Sequence, residues 1–157
     1  LVFGDVFLSV DFTKMVEFHK NNKSDATLLT HPNSHPFDSD LVVVNNENKV
    51  ETFDSKENVR NYDYKNLVNS GIYCFSPKVF DYVNEPKKYG LEKDVISKMI
   101  INGDNVYSYH STEYVKDMGT PERFYAVNDD YANGISEQRN LSHKQKAIFL
   151  DLSLIHI

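Results

Sequence analysis

Positive charge is in short supply in this sequence. Its 17 lysines and arginines stand against 23 aspartates and glutamates, a formal net charge of -6 over 157 residues. A nucleic-acid groove needs a basic face that neutralises phosphates, so nucleic acid is not the expected partner. A nucleotide stays open, because a metal ion and a few local donors suffice to hold one. Cysteine occurs once, which fits a reducing, cytoplasmic location. No run reads as a transmembrane span or a signal peptide, so no membrane partner is expected. No internal repeat is visible. The first residue is leucine, inside an apolar strand-like run, and the length suggests one domain at most. Tyrosine and phenylalanine, ten of each, are enough for a core.

The most informative stretch is Tyr114 to Phe124. Val106 to Tyr109 and Tyr114-Val115 are β-prone and lead to Asp117. A Gly119-Thr120 turn follows, with Thr120 suited to the N-cap and Pro121 to the first helical position. Asp117 is therefore expected at the carboxyl end of a strand. Leu1-Val2-Phe3 also reads as a strand, apolar throughout and central, ending in Gly4-Asp5. Two carboxylates at the ends of two strands can face one crevice, where open α/β sheets bind ligands. Such a pair suits Mg²⁺, which takes one or two carboxylates plus substrate phosphates. Either acid can equally serve a turn.

Elsewhere the pattern alternates. Asp11 can cap a helix to about Lys20, with Phe12, Met15, Val16 and His19 at helical spacing. Ala26 to Thr30 is a strand, making a right-handed strand-helix-strand unit. His31 to Asp40 is a loop held open by Pro32 and Pro36; its two histidines raise a metal reading against that of a solvated loop. Leu41 to Val44 and Lys49 to Phe53 flank Asn45 to Asn48 and predict a hairpin. Glu57 to Lys65 reads as an exposed connection. Leu67 to Phe75 is a strand whose polar member, Asn69, either satisfies backbone or grips a ligand. Cys74 on that strand reads as a small buried hydrophobe. Short helices are predicted over 78–83, with Val79, Phe80 and Val83 inward, and over 92–101. Glu92 and Asp94 favour the second helix's dipole whatever else they do. Pro121 to about Ala132 is a helix with Phe124, Val127 and Tyr131 at helical spacing, closed by Asn133-Gly134. Residues 135–145 are polar and read as a linker.

Four motifs in order resemble the sugar-1-phosphate nucleotidyltransferases over roughly residues 1–135. They are Gly4-Asp5, Asn69-Ser70-Gly71-Ile72-Tyr73, Leu91-Glu92-Lys93-Asp94 and Asp117-Met118-Gly119-Thr120-Pro121. The branch most resembled activates heptose or mannose with a guanylyl group, for cell-surface polysaccharide. The resemblance implies an α/β, Rossmann-like fold with a mixed, mostly parallel sheet, truncated at its N-terminus. It implies Mg²⁺ on Asp5 and Asp117, Lys56 against the sugar phosphate, and Asn69, the Gly71 backbone, Glu92 and Lys93 around the sugar. The substrates implied are a nucleoside triphosphate and a sugar 1-phosphate.

The family's Gly-rich triphosphate loop is not found, and where it often has Glu-Lys-Pro this chain reads Phe53-Asp54-Ser55-Lys56-Glu57. Without the loop and a first strand, the chain alone is expected to be inactive and marginally stable, with an open sheet edge. Lys146 to Asp151 resembles the nucleophile strand of haloacid-dehalogenase-type phosphatases, without the Asp and Gly-Thr that follow. Leu152 to Ile157 resembles a translated transposase-end adapter. Two other classes therefore stay in view, a phosphatase and a non-catalytic sugar-nucleotide-binding module.

Overall fold

The computed structural model describes residues 1–146 and residue 148. The expected strand 146–151 (Lys146 and Ile148 apart) and the tail 152–157 lie outside the described residues. In chain order the elements are β1 (Val6–Ser9), α1 (Phe12–Asn21), β2 (Ala26–His31), β3 (Leu41–Val44), β4 (Val50–Asp54) and β5 (Val68–Phe75). A 3₁₀ helix (Pro77–Tyr82) and a π-helical segment (Leu91–Ile96) running into α2 (Ser97–Ile101) come next, before β6 (Val106–His110), β7 (Tyr114–Asp117), α3 (Pro121–Ala132) and α4 (Ile135–Gln138).

The central layer is a five-stranded sheet of order β4-β3-β5-β2-β6. Strand β2, between β5 and β6, is covered on both faces. Ala26 and Leu28 enter a core with Tyr73, Val95, Ile96, Met99 and Val106. Leu29, one residue on, points to the opposite face and a second core with Met15, Val10 and Ile72. That alternation is the period of two of a strand buried between layers. α2 covers the first face, and α1 covers the second through Met15, at 2% exposure. α1 begins where Asp11 accepts from the Thr13 N–H at 3.0 Å and ends at the Asn22 cap.

The α/β class with a mixed sheet is as expected, but "mostly parallel" needs correcting. Among the described residues the parallel ladder is β2–β6, while β2–β5, β3–β4 and β3–β5 are antiparallel. For β3–β4 the physical cause is connection length. Asn45 to Asn48 turns tightly, with Asn48 at φ 63° and the Asn45 carboxamide accepting from the Glu47 and Lys49 N–H groups. Such a turn can only join antiparallel neighbours. Leu1 to Phe3 is not a buried parallel strand either. It runs antiparallel beside β5, with the Phe3 N–H on the Gly71 carbonyl (3.1 Å) and the Tyr73 N–H on the Leu1 carbonyl (2.9 Å).

Three further expectations change. Phe80, Phe124 and Tyr131 are exposed, because the 3₁₀ helix and α3 each bury a narrow stripe; on α3 that stripe is Val127. The helix at 92–101 starts one residue earlier with wide π turns. Residues 135–145 are docked rather than linker-like. Buried Glu113 accepts from the N–H groups of Leu141 (2.9 Å) and Asp11 (2.7 Å), and Asn140 donates to Ser9 Oγ at 3.1 Å. Polar side chains there serve backbone and side-chain partners across the fold, which composition alone does not reveal. No helix among the described residues is long and apolar enough to cross a membrane.

Candidate functional site

Asp117 closes β7, and the chain then turns through Gly119 into α3. Its Oδ1 accepts from the Gly119 N–H at 2.7 Å and from Arg123 Nη1 at 3.0 Å. The Gly119 bond first, and Arg123 after it, hold the Asp117 carboxyl below its ordinary range despite some burial. Thr120 caps α3 as expected, accepting from the Arg123 N–H at 3.4 Å. Arg123 thus reaches Asp117 from the first turn of the helix that Thr120 starts.

Asp5 and Asp117 are brought together, though not as two parallel strand ends. Asp5 lies in the turn entering β1, and β1 pairs antiparallel with β7 in the register Val6↔Asp117. The Met118 N–H donates to the Asp5 carbonyl at 2.7 Å and fixes the two acids at one end of the ladder. Among the described residues Asp117 Oδ2 and the Asp5 carboxylate have no hydrogen-bond donor. The register Val6↔Asp117 leaves Asp5 opposite Met118, so the two acids are neighbours along the ladder rather than a directly facing pair, and each is a hard oxygen donor of the kind Mg²⁺ takes. No group of three or more His, Cys, Asp or Glu side chains able to hold a metal occurs among the described residues. The histidine-loop reading therefore gains nothing: His35 bonds Ser34 and His31 faces the Pro32 carbonyl.

An open cleft of about 490 Å³ lies beside Asp117, lined also by His31, Asn33, Asn69, Ser70 and Arg123. His31 ends β2, and burial keeps its imidazole below the ordinary value, so the neutral ring is favoured there. A second cleft, of about 390 Å³, is lined by Asp40, Ser55, Lys56, Glu92, Lys93 and Ser97. Lys56, Glu92 and Lys93, far apart in sequence, thus share one wall. Asn69 joins the two clefts: its amide donates to Glu92 Oε1 and to the Tyr73 hydroxyl (2.7 Å). Both readings of Asn69 meet here, since it is satisfied internally and lines a cleft.

Gly71 is placed elsewhere. Its φ of +75° makes a kink in β5, and the Phe3 ring lies over it. The Gly71 N–H donates to Asn69 Oδ1 at 3.3 Å and its carbonyl accepts from the Phe3 N–H, and Gly71 lines neither cleft. Sequence reading also missed Arg123, Glu113 and Arg60. Arg123 follows Glu122 in an ordinary helix start and carries no local signal. Arg60 sits in a charged stretch that reads as solvated, yet its side chain is 6% exposed.

A protein-family model described as nucleotidyl transferase matches residues 1–134. A mannose-1-phosphate guanylyltransferase of Mycobacterium tuberculosis is 30% identical over 134 residues, 85% of this chain and 36% of that protein. A glucose-1-phosphate adenylyltransferase of Clostridium novyi is 30% identical over 136 residues, 81% of this chain and 35% of that protein. The chain thus spans about a third of the length of these curated relatives. Among solved structures, HddC from Yersinia pseudotuberculosis superposes with a TM-score of 0.64 at 19% identity, over 83% of this chain and 53% of that one. At that identity the likeness speaks for the fold, which is the α/β, Rossmann-like nucleotide-sugar transferase fold.

Proposed function

The chain belongs to the nucleotidyl transferase family, and on that premise we propose that it forms part of a sugar-1-phosphate nucleotidyltransferase. The reaction is nucleoside triphosphate plus sugar 1-phosphate giving nucleotide-sugar plus pyrophosphate. A phosphate oxygen of the sugar 1-phosphate bonds to the α-phosphorus, and the bond from that phosphorus to pyrophosphate breaks in line. No protein nucleophile is required, so the protein's work is positioning and charge neutralisation.

The observation that carries this reading is Asp117 on the wall of the cleft that Asn69 also lines, with the Asp5 backbone tied beside it by the Met118–Asp5 bond. Mg²⁺ held there would neutralise charge on the α-phosphate. Arg123 keeps the Asp117 carboxylate ionised and oriented through Oδ1. On the other side of Asn69, Lys56 and Lys93 present cations to the sugar phosphate, and Glu92 is an acceptor for sugar hydroxyls. A guanylyl group with a mannose- or heptose-type sugar is the preferred pairing, in keeping with the relative from M. tuberculosis, and a cytoplasmic location belongs to the same reading.

The test is pyrophosphate release by the product of the full open reading frame that encodes this chain. It is incubated with Mg²⁺, each nucleoside triphosphate in turn, and mannose, glucose or heptose 1-phosphate. Release that Asp117→Ala abolishes, with folding retained, supports the reading and identifies the base. A folded protein that releases none with any pair refutes it.

A further inference from the structure

We infer that Arg60 is a positioning residue for the cleft that Lys56, Glu92 and Lys93 line, fixing the loop that carries Lys56. The inference rests on the reading of that cleft as the sugar 1-phosphate site.

Arg60 lies in the irregular connection between β4 and β5, where neighbouring side chains such as Val59 are exposed. Its own side chain turns inward to 6% exposure. Burying a guanidinium is costly unless its donors are met. Here Nε donates to Asp54 Oδ2 at 2.7 Å, and Nη1 to the Pro36 carbonyl at 2.8 Å. Nη2 donates to the Ser39 and Asp54 carbonyls at 2.8 and 2.9 Å. One planar group therefore binds three stretches of chain: the end of β4, its own connection, and the 36–39 segment. A lysine, with one compact ammonium, cannot reproduce that fork.

Lys56 depends on both ends of this clamp. It sits between Asp54 and Arg60, in a loop closed by their ion pair and by the Asn58 amide on Asp54 Oδ1 at 2.8 Å. Its backbone N–H donates to Asp40 Oδ1 at 2.8 Å, and its Nζ lies 3.8 Å from Asp38 Oδ1. Both aspartates belong to the stretch whose Pro36 and Ser39 carbonyls Arg60 holds. Asp54 itself is 8% exposed and turned to Arg60, so it supports the wall without facing a ligand. A lysine at a surface turn is ordinarily mobile; this one is tethered through a buried arginine that touches neither cleft.

The experiment compares Arg60→Lys and Arg60→Leu with Lys56→Ala in the product of the full open reading frame. Amide hydrogen exchange is read at Lys56 and Asp38, with Leu28 and Leu29 of β2 as internal controls. Binding of mannose 1-phosphate and glucose 1-phosphate is measured beside that of Mg²⁺-GTP and Mg²⁺-ATP. Both Arg60 variants should speed exchange at Lys56 and Asp38 about tenfold or more and leave β2 unchanged. They should weaken sugar-phosphate binding about tenfold, with nucleotide binding unchanged. Unchanged Lys56 exchange overturns the inference. So does a parallel loss of sugar-phosphate and nucleotide affinity, which marks a general structural role. If Lys56→Ala weakens sugar-phosphate binding while Arg60→Lys does not, the inference fails and the site reading stands. If Lys56→Ala has no effect, the site reading itself fails and the inference falls with it. Arg60→Lys keeps charge and stem, so the comparison survives if Arg60→Leu does not fold.

Discussion

The side-chain amide of Asn69 donates to the carboxylate of Glu92, joining the start of β5 to the first turn of the helical segment that begins at Leu91. The same amide reaches the Tyr73 hydroxyl, so one residue ties a strand interior to the wall of each cleft.

That bond should be visible as a coupling energy. Asn69→Ala, Glu92→Ala and the double variant, unfolded in urea, should show an interaction of about 1 kcal/mol for a partly buried, charge-assisted bond. Additive single effects would show that the two side chains act independently. Asn69→Asp should be worse than Asn69→Ala, because it sets a carboxylate against Glu92.

Glu113 should act as the lock on the C-terminal segment. Its carboxylate accepts from Asp11, Leu141 and Ser111, and its removal leaves backbone donors without an acceptor. Each donor left unsatisfied costs about 1–3 kcal/mol where it stays buried. Glu113→Ala should therefore free residues 139–146, so that trypsin cuts after the already exposed Arg139 and Lys144 faster than in the unaltered protein, and faster there than in the core. Equal cleavage rates in both proteins would show the segment is held by other contacts.

Gly71→Ala should destabilise the fold without touching either cleft. A Cβ at that position would meet Phe3 Cδ2 at 2.8 Å, and the φ of +75° is left-handed. Backbone strain alone is worth about 1–3 kcal/mol in such a conformation. A lowered urea midpoint with unchanged slope is the expected signature, relieved in part by Phe3→Ala, which removes the clash but not the strain.

The Arg60 clamp should also be pH-sensitive at its acid end. The Tyr62 hydroxyl and then the Asn58 amide, with Arg60 adding to them against burial, hold the Asp54 carboxyl down at about 2 from an ordinary 3.8. A depressed folded-state value means the stabilisation is fully present above the unfolded value and is lost as pH falls from 3.8 toward about 2. The stability gap between the native protein and Asp54→Asn should be widest near neutral pH and close toward pH 2, as followed by thermal melting. A gap that does not narrow on acidification would show that Asp54 is not held in its ionised form.

Much of the local structure was legible because its causes are local. Asp11 and Thr120 are caps by their own side chains, Pro121 opens α3 because it needs no N–H there, and Asn45 to Asn48 turns because asparagine tolerates positive φ. The approach of Asp117 to a cleft was legible for the same reason: the strand, the acid and the capped helix follow within eleven residues. Lys56, Glu92 and Lys93 were drawn from motif likeness, and their common wall is a tertiary result.

What the sequence by itself determined, then, is the type of most elements from α1 to α3 and the chemistry at the end of β7, set by propensity, period and capping over short spans; β1 at Val6–Ser9 and α4 at Ile135–Gln138 were not among them. Tertiary structure alone decided the rest. It chose antiparallel partners for Leu1 to Phe3 and for β1, and so set Val6 against Asp117 and brought Asp5 beside them at the end of the ladder. It docked residues 135–145 on Glu113 and buried Arg60 under Asp54. Each of these turns on which distant carbonyl or carboxylate meets a donor, and hydrogen-bond partners that far apart leave no periodicity to read.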